Sequence, residues 1–148
     1  MKGLKLGLVA LAIIAMTNIA NAGGVGYIDY AKVIDNYDYA KQATKEIDAK
    51  GLEMQQFLVD KEKEYKSLDT PLKKQSFEDR VSQEFKAKEA AYVALREKRE
   101  KEVYDRIQDA AKSVMVEQKL DVIMDARNVF TGGVDITQNV IQKLKFAK

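Results

Sequence analysis

The sequence contains no cysteine and no histidine among its 148 residues, and it has a single proline. The absence of cysteine excludes disulfides and thiolate chemistry. The absence of histidine removes the commonest general base and the commonest metal ligand. The sequence also has no glycine-rich phosphate loop with a Walker-type lysine. The composition therefore argues against an enzyme, and we predict neither a cofactor nor a metal site.

The first 22 residues have the features of a secretory signal peptide. Lys2 and Lys5 precede and flank an apolar stretch from Leu6 to Met16, and Ala20-Asn21-Ala22 fits a small-x-small cleavage site. The apolar stretch is shorter than the roughly twenty residues that a membrane-spanning helix needs. We therefore expect export across the inner membrane and cleavage after Ala22. The alternative is an uncleaved amphipathic anchor.

Cleavage changes the charge of the protein. The precursor has 25 basic and 23 acidic side chains, and Lys2 and Lys5 are the only charged residues before position 23. The mature chain is therefore formally neutral, so the basic character belongs to the precursor alone. A neutral chain lacks the excess positive charge that favours nucleic-acid binding, so we predict no nucleic-acid partner.

A charged segment from residue 39 to residue 119 favours helix, and Pro71 is its only clear break. Proline disfavours helical geometry at the preceding residue, while its own fixed dihedral suits the first turn of a new helix. Asp69 or Thr70 can cap that second helix. Apolar residues recur at steps of three and four on both sides of the break. The segment therefore predicts two long antiparallel helices that form a coiled-coil-like arm with its tip at 69–71.

Two local features qualify this arm. Gly51 lies on the apolar seam, the stripe of side chains by which the first helix packs against the second. Glycine inside a helix costs on the order of 1 kcal/mol relative to alanine, so we expect the helix to be least stable near Gly51. The run from Arg96 to Glu102 contains no apolar residue, and its opposite charges lie four apart. This spacing favours a water-facing section of helix over a binding site for an anionic partner.

Aromatic side chains recur along the arm. Two helices side by side bury only one stripe each, so an aromatic stripe on a long arm suggests contact with a partner. The alternative is that the rings fill the seam between the helices. Phe57 lies off the seam, which makes it the first candidate for a partner contact. The predicted contact residues are Phe57, Tyr65, Phe77, Phe85 and Tyr92, together with the basic tip residues Lys73, Lys74 and Arg80.

The segments 23–38 and 120–148 predict a small β-rich body. Val25 to Asp29, Leu120 to Ala126 and Asn128 to Phe130 read as short strands, and Ala31 to Tyr37 as a short helix. A last helix follows, opened by Asp135 and Gln138 at capping-box spacing. The expected fold class is thus α+β and mostly α. The residues predicted to share the body core and a subunit interface are Tyr27, Ile28, Val122, Ile123, Met124, Val129, Phe130, Ile136, Val140 and Leu144.

Short motifs on both sides of the arm occur in a characteristic order: Gly26-Tyr27-Ile28-Asp29, Lys32-Val33, Ile107-Gln108, Lys112-Ser113-Val114, Leu120-Asp121-Val122-Ile123-Met124-Asp125-Ala126 and Asp135-Ile136-Thr137. In this order, and around a charged hairpin, the chain resembles the Skp/OmpH family of periplasmic chaperones. The resemblance implies a homotrimer whose three arms surround a cavity that holds unfolded outer-membrane proteins. A small open sheet with unpaired edges independently favours an oligomer.

One departure from the family pattern concerns charge. The best-known relatives are clearly basic, whereas this mature chain is formally neutral, so we expect only weak contact with membranes or lipopolysaccharide. The resemblance predicts an ATP-independent holdase. The main alternative is an envelope spacer or adaptor that binds a fixed partner at the hairpin tip. A surface binder of anionic lipid is a further alternative, and it would show a steep salt dependence.

Overall fold

The computed structural model describes residues 23–146, and the predicted signal peptide at 1–22 lies outside this range. None of the helices within 23–146 combines the length and the apolar character that a membrane span requires. In chain order the elements are β1 (Gly24–Ile28), α1 (Tyr30–Asp35), α2 (Asp38–Lys66), α3 (Pro71–Glu117), β2 (Leu120–Asp125), a 3₁₀ turn (Ala126–Asn128), β3 (Val134–Asp135) and α4 (Thr137–Phe146). The predicted α+β, mostly helical fold is confirmed.

The two long helices α2 and α3 form the antiparallel arm. They contain 29 and 47 residues, which corresponds to about 44 Å and about 70 Å at 1.5 Å per residue. Pro71 occupies the first position of α3, where its missing N–H costs no hydrogen bond. Of the two predicted caps, Thr70 takes this role, because its hydroxyl accepts a hydrogen bond from the Lys73 backbone N–H at 3.3 Å. The arm therefore reverses direction at residues 67–70.

The sheet has the strand order β2-β1-β3, and both outer strands run parallel to β1. Parallel neighbours need a crossover connection rather than a tight turn. Between β1 and β2 that crossover is α1 together with the whole arm. Both ends of the arm are consequently anchored in the same small sheet.

The third strand differs from the prediction. Asn128–Phe130 is not a strand, and β3 is the two-residue segment Val134–Asp135. The Asp125 carboxylate accepts hydrogen bonds from the backbone N–H and the Nε of Arg127, and these bonds start a turn just before the predicted third strand. Gly132 and Gly133 then adopt φ values of +81° and +86°, a region that glycine enters without steric cost. This turn brings the chain back to pair beside β1.

The hydrophobic core lies where the base of α3 packs against α1, α4 and the inner face of the sheet. Val33, Ile107, Val114 and Val140 are almost fully buried there. Ile136, Val140 and Leu144, which the sequence predicted for the core, are all buried in it, while Ile28 and Ile123 pack against it partly buried. The body is therefore built around the root of the arm.

One buried polar side chain joins the two ends of the body. The Thr137 hydroxyl accepts a hydrogen bond from the Asp29 backbone N–H at 3.0 Å. The Asp135 carboxylate in turn accepts from the Thr137 backbone N–H at 2.9 Å, and this bond, with the helix beginning at Thr137, replaces the expected capping box. The bond between Asp29 and Thr137 ties the start of α4 to the start of α1, and the Asp135 bond holds the first residue of α4 in place.

The other face of the sheet is largely uncovered. Gly26 faces the core, so the alternating residues Val25 and Tyr27 face outward, in register with Val122 and Met124. Val122 and Met124 are 43% and 39% exposed. Phe130, in the loop that crosses this face, is fully exposed. The predicted body residues thus divide into a core set and an exposed apolar set, with Tyr27 and Val129 half-buried between them.

Candidate functional site

An apolar groove of about 440 Å³ lies between α2 and α3 on the outer half of the arm. Residues three and four apart on one helix lie on the same face, so each helix contributes one stripe of side chains. The groove is lined by Leu58, Lys61, Glu62 and Tyr65 of α2 and by Phe77, Glu78, Val81, Ser82 and Phe85 of α3. Its exposed aromatic and aliphatic surface can bind apolar side chains of another molecule.

Basic side chains lie over the aromatic rings near this groove. The Lys61 Nζ is 5.7 Å from the ring centroids of both Phe57 and Phe77. The Lys88 Nζ lies 5.1 Å from the Phe57 ring, and the Arg80 guanidinium 5.3 Å from the Phe77 ring. Such contacts place positive charge on the faces of the rings. Phe57 is therefore half-buried beneath two lysine side chains rather than bare.

Tyr65 occupies the tip side of the groove. Its ring centroid lies 6.0 Å from that of Phe77, and the Lys74 Nζ lies 5.2 Å from its ring. The hydrogen-bonded Glu78 carboxylate, followed by partial burial, raises the pKa of Tyr65 above its usual 10.0. The phenol therefore donates its hydrogen bond to Glu78 within the arm.

The charged tip residues are largely engaged within the arm. Lys73 pairs with Asp69 at 2.9 Å. Arg80 bridges to Glu64 at 3.3 Å and lies 3.8 Å from Glu84. Within residues 23–146, no three His, Cys, Asp or Glu side chains come together in a way that could hold a metal ion. The tip thus presents balanced ion pairs rather than a concentrated positive charge.

The five predicted aromatic residues occupy different environments. Phe77 is only 7% exposed and fills the seam between the helices. Tyr65 and Phe85 line the groove, and Phe57 lies one turn further toward the body. Tyr92 packs against Gly51 in the middle of the arm, away from the groove. The groove thus brings together three of the five rings, and binding by any of them stays a prediction.

Sequence reasoning missed three exposed apolar residues on the outer part of the arm. Leu52, Val59 and Leu72 are 65%, 46% and 74% exposed, and none of them lies on the seam. The signal that singled out Phe57, an apolar residue off the seam, would have found all three. Together with the groove they give the outer arm a discontinuous apolar surface.

A second groove, of about 370 Å³, lies in the body between α3 and β2. Ile28, Tyr30, Tyr104, Met115 and Ile123 contribute to its lining. Burial and then the neighbouring Tyr104 raise the pKa of Tyr30 above 10.0. This groove runs beside the outer edge of β2, which has no strand partner within the described part of the chain.

Comparison with known proteins gives one family match. The model of the OmpH-like outer membrane protein family matches residues 24–144. No curated protein sequence matches the chain significantly. A solved structure from Caulobacter crescentus, of a candidate outer membrane chaperone described as OmpH-like, is 16% identical with a TM-score of 0.40. That alignment covers 82% of this chain and 83% of the Caulobacter chain.

Proposed function

The chain belongs to the OmpH-like outer membrane protein family, and we propose that it is a periplasmic holdase chaperone that binds unfolded outer-membrane proteins without ATP. The observation that carries this proposal is the apolar surface of the outer arm. Its groove and the exposed Leu52, Val59 and Leu72 offer several small contacts instead of one deep pocket. Such a surface suits an extended chain of varied sequence.

Weak contacts can still hold a client when several arms surround it. Each additional arm acts on a client that is already bound, so its contacts form at a high effective concentration. Individual contacts exchange quickly, while the whole client is retained. Release follows when the client buries its own apolar surface in a membrane barrel.

The same proposal includes a homo-oligomer, with three subunits as the family resemblance implies. Val122, Met124 and Phe130 expose apolar surface on the body, and the outer edge of β2 pairs with no strand of residues 23–146. Exposed sheet edges and apolar patches of this kind are usually covered in stable proteins. Light scattering on the mature protein is expected to give about three times the chain mass. A mass equal to that of one chain would contradict the proposed trimer.

The holding activity is tested by diluting an unfolded outer-membrane β-barrel protein from urea and following its aggregation by light scattering. The mature protein is expected to suppress aggregation without nucleotide. The double variant Leu52→Ser and Val59→Ser should suppress it less, because it loses exposed apolar contacts. Gln55→Ser, an exposed polar position on the same helix, is the matched control. Absence of suppression by the wild-type protein in molar excess would refute the proposal.

The adaptor alternative makes a different prediction for the tip. Replacing Lys73, Lys74 and Arg80 by alanine should abolish binding if one fixed partner docks there. A holdase should lose affinity only gradually. The engagement of Lys73 and Arg80 in ion pairs within the arm favours the holdase.

Mass spectrometry of the exported protein tests the proposed periplasmic location, because cleavage after Ala22 leaves Gly23 as the first residue.

A further inference from the structure

We propose that a cluster of polar side chains at the root of the arm is a clasp that divides the arm into a fixed base and a separable outer part. The clasp consists of Tyr39 and Glu46 of α2 and Arg99, Glu102 and Arg106 of α3. The base comprises residues 38–46 and 99–117, and the outer part comprises residues 47–98.

Arg99 is the centre of the clasp. Its Nε and Nη2 donate to the Glu46 carboxylate across the seam at 2.8 Å and 2.7 Å. Its Nη1 donates to the Glu102 Oε2 at 2.8 Å, and the Tyr39 hydroxyl donates to that same oxygen at 2.8 Å. The Arg106 guanidinium lies 4.2 Å from the centroid of the Tyr39 ring. One arginine and one tyrosine thus connect the two helices through charge-assisted hydrogen bonds.

These ion pairs are more shielded from water than the others on the chain. Arg99, Glu46 and Glu102 are 25%, 35% and 33% exposed. Every other ion pair formed within residues 23–146 has at least one partner that is more than 40% exposed. Lower exposure weakens the competition from water and salt, so the clasp is the arm's firmest polar link.

The packing of the seam changes at the clasp. On the body side, Ala40 and Ala43 of α2 and Val103 and Ile107 of α3 are buried. On the tip side, α2 has no buried residue after Ala43, and α3 has only Phe77 before Val103. The helices are therefore closely packed up to the clasp and only partly packed beyond it.

This arrangement has a mechanical consequence. Segments with few buried contacts open at lower free energy than segments that share the main core. The outer arm can bend or separate its helices, while the base moves with the body. Where the proposed holding function applies, this would let the client space change without loosening the root of the arm. That consequence alone rests on the proposed function.

Hydrogen exchange on the mature oligomer without client tests the clasp. In the wild type, protection should fall sharply between residues 46 and 47 in α2 and between 99 and 98 in α3. Arg99→Met should raise exchange at 38–46 and 99–103 by about threefold to tenfold, because the link between the helices from Arg99 to Glu46 is lost and Glu102 loses its arginine partner. Arg96→Met is the matched control, since among the described residues Arg96 forms an ion pair only within its own helix, with Glu100 at 3.5 Å. It should leave the base unchanged.

Three outcomes would overturn the clasp. They are uniform protection along the wild-type arm, an unchanged base in Arg99→Met, and an equal effect of Arg96→Met. Arg99→Lys keeps the charge but loses the planar group whose separate nitrogens reach Glu46 and Glu102, so its base should exchange at an intermediate rate. If circular dichroism shows that Arg99→Met loses helix throughout, Tyr39→Phe removes one hydrogen bond and keeps the ring. It must then show the same localised increase, and failure to do so rejects the proposal.

Discussion

Gly51→Ala should stabilise the protein, although Gly51 lies at the interface between the two long helices. The glycine lies within α2 and has no positive φ, so its conformation is one that alanine adopts readily. A Cβ built at this position meets only the Tyr92 Cε2, at 3.7 Å, which is an ordinary van der Waals contact. The substitution therefore adds a methyl group without a clash.

The expected gain follows from helix propensity. Alanine is favoured over glycine in a helix interior by roughly 1 kcal/mol, mainly because the unfolded glycine chain has more conformations to lose. With a urea m value of about 1–3 kcal/mol/M, the midpoint of unfolding should rise by about 0.3–1 M. The contact with Tyr92 adds to this gain rather than opposing it.

The assay is urea unfolding followed by circular dichroism, at one fixed protein concentration because an oligomer's apparent stability depends on concentration. Ala49→Gly is the matched reverse variant, since Ala49 is exposed two positions earlier in the same helix. It should lower the midpoint by a similar amount. A lower midpoint for Gly51→Ala, with a normal response of Ala49→Gly, would show that the helices need the close approach that glycine allows at residue 51.

Three further predictions concern the core, the clasp and the arm surface. Ile107→Ala shortens a side chain that is only 2% exposed, so it should lower the free energy of unfolding by about 2–5 kcal/mol, measured by urea unfolding. A substitution at an exposed polar position should change this free energy little. Hydrogen bonds from Tyr39 and then Arg99 lower the pKa of Glu102 below its usual 4.5, so the stability it contributes is present above that pH and lost as the pH falls. Glu102→Gln should therefore flatten the dependence of the melting temperature on pH between about pH 6 and about pH 3, and an unchanged profile would contradict this. Leu72→Ser should weaken suppression of aggregation while the melting temperature stays within the wild-type range, because its side chain is 74% exposed; a large loss of stability would show a structural role instead.

The arm could be predicted from sequence because its signals are local. Helical periodicity and Pro71 each act within a few residues, so the two helices and the break between them follow directly. The choice between Asp69 and Thr70 as the cap did not follow, since both side chains offer an oxygen to the same backbone donors. The third strand did not follow either, because β3 is two residues long and exists only through pairing with β1, more than a hundred residues earlier.

Which apolar residues of the arm lie in the seam and which lie on the surface could not be predicted from the sequence, for another reason. It depends on how each helix is rotated about its axis, and a weak seam sets that rotation poorly. Phe77 consequently turned inward, while Leu52 and Leu72, off the seam, are exposed. The run from Arg96 to Glu102 shows the same effect in its charges. Arg96 and Glu100 pair within the helix as expected, but Arg99 and Glu102 link to α2 instead of facing only water.

The weak packing of the seam explains why the outer arm exposes so many apolar side chains. Apolar side chains that fill the interface between two helices cannot also contact a third molecule, so a hairpin that is tightly packed along its whole length would have little apolar surface left to offer. In this chain the base takes the tight packing, with Val103 and Ile107 buried beside the body core. The outer arm has one buried aromatic, Phe77, and leaves the rest half-covered. The outer arm therefore depends on the base for stability. We expect changes that fill the outer seam with larger apolar side chains to gain stability at the expense of apolar surface available for binding.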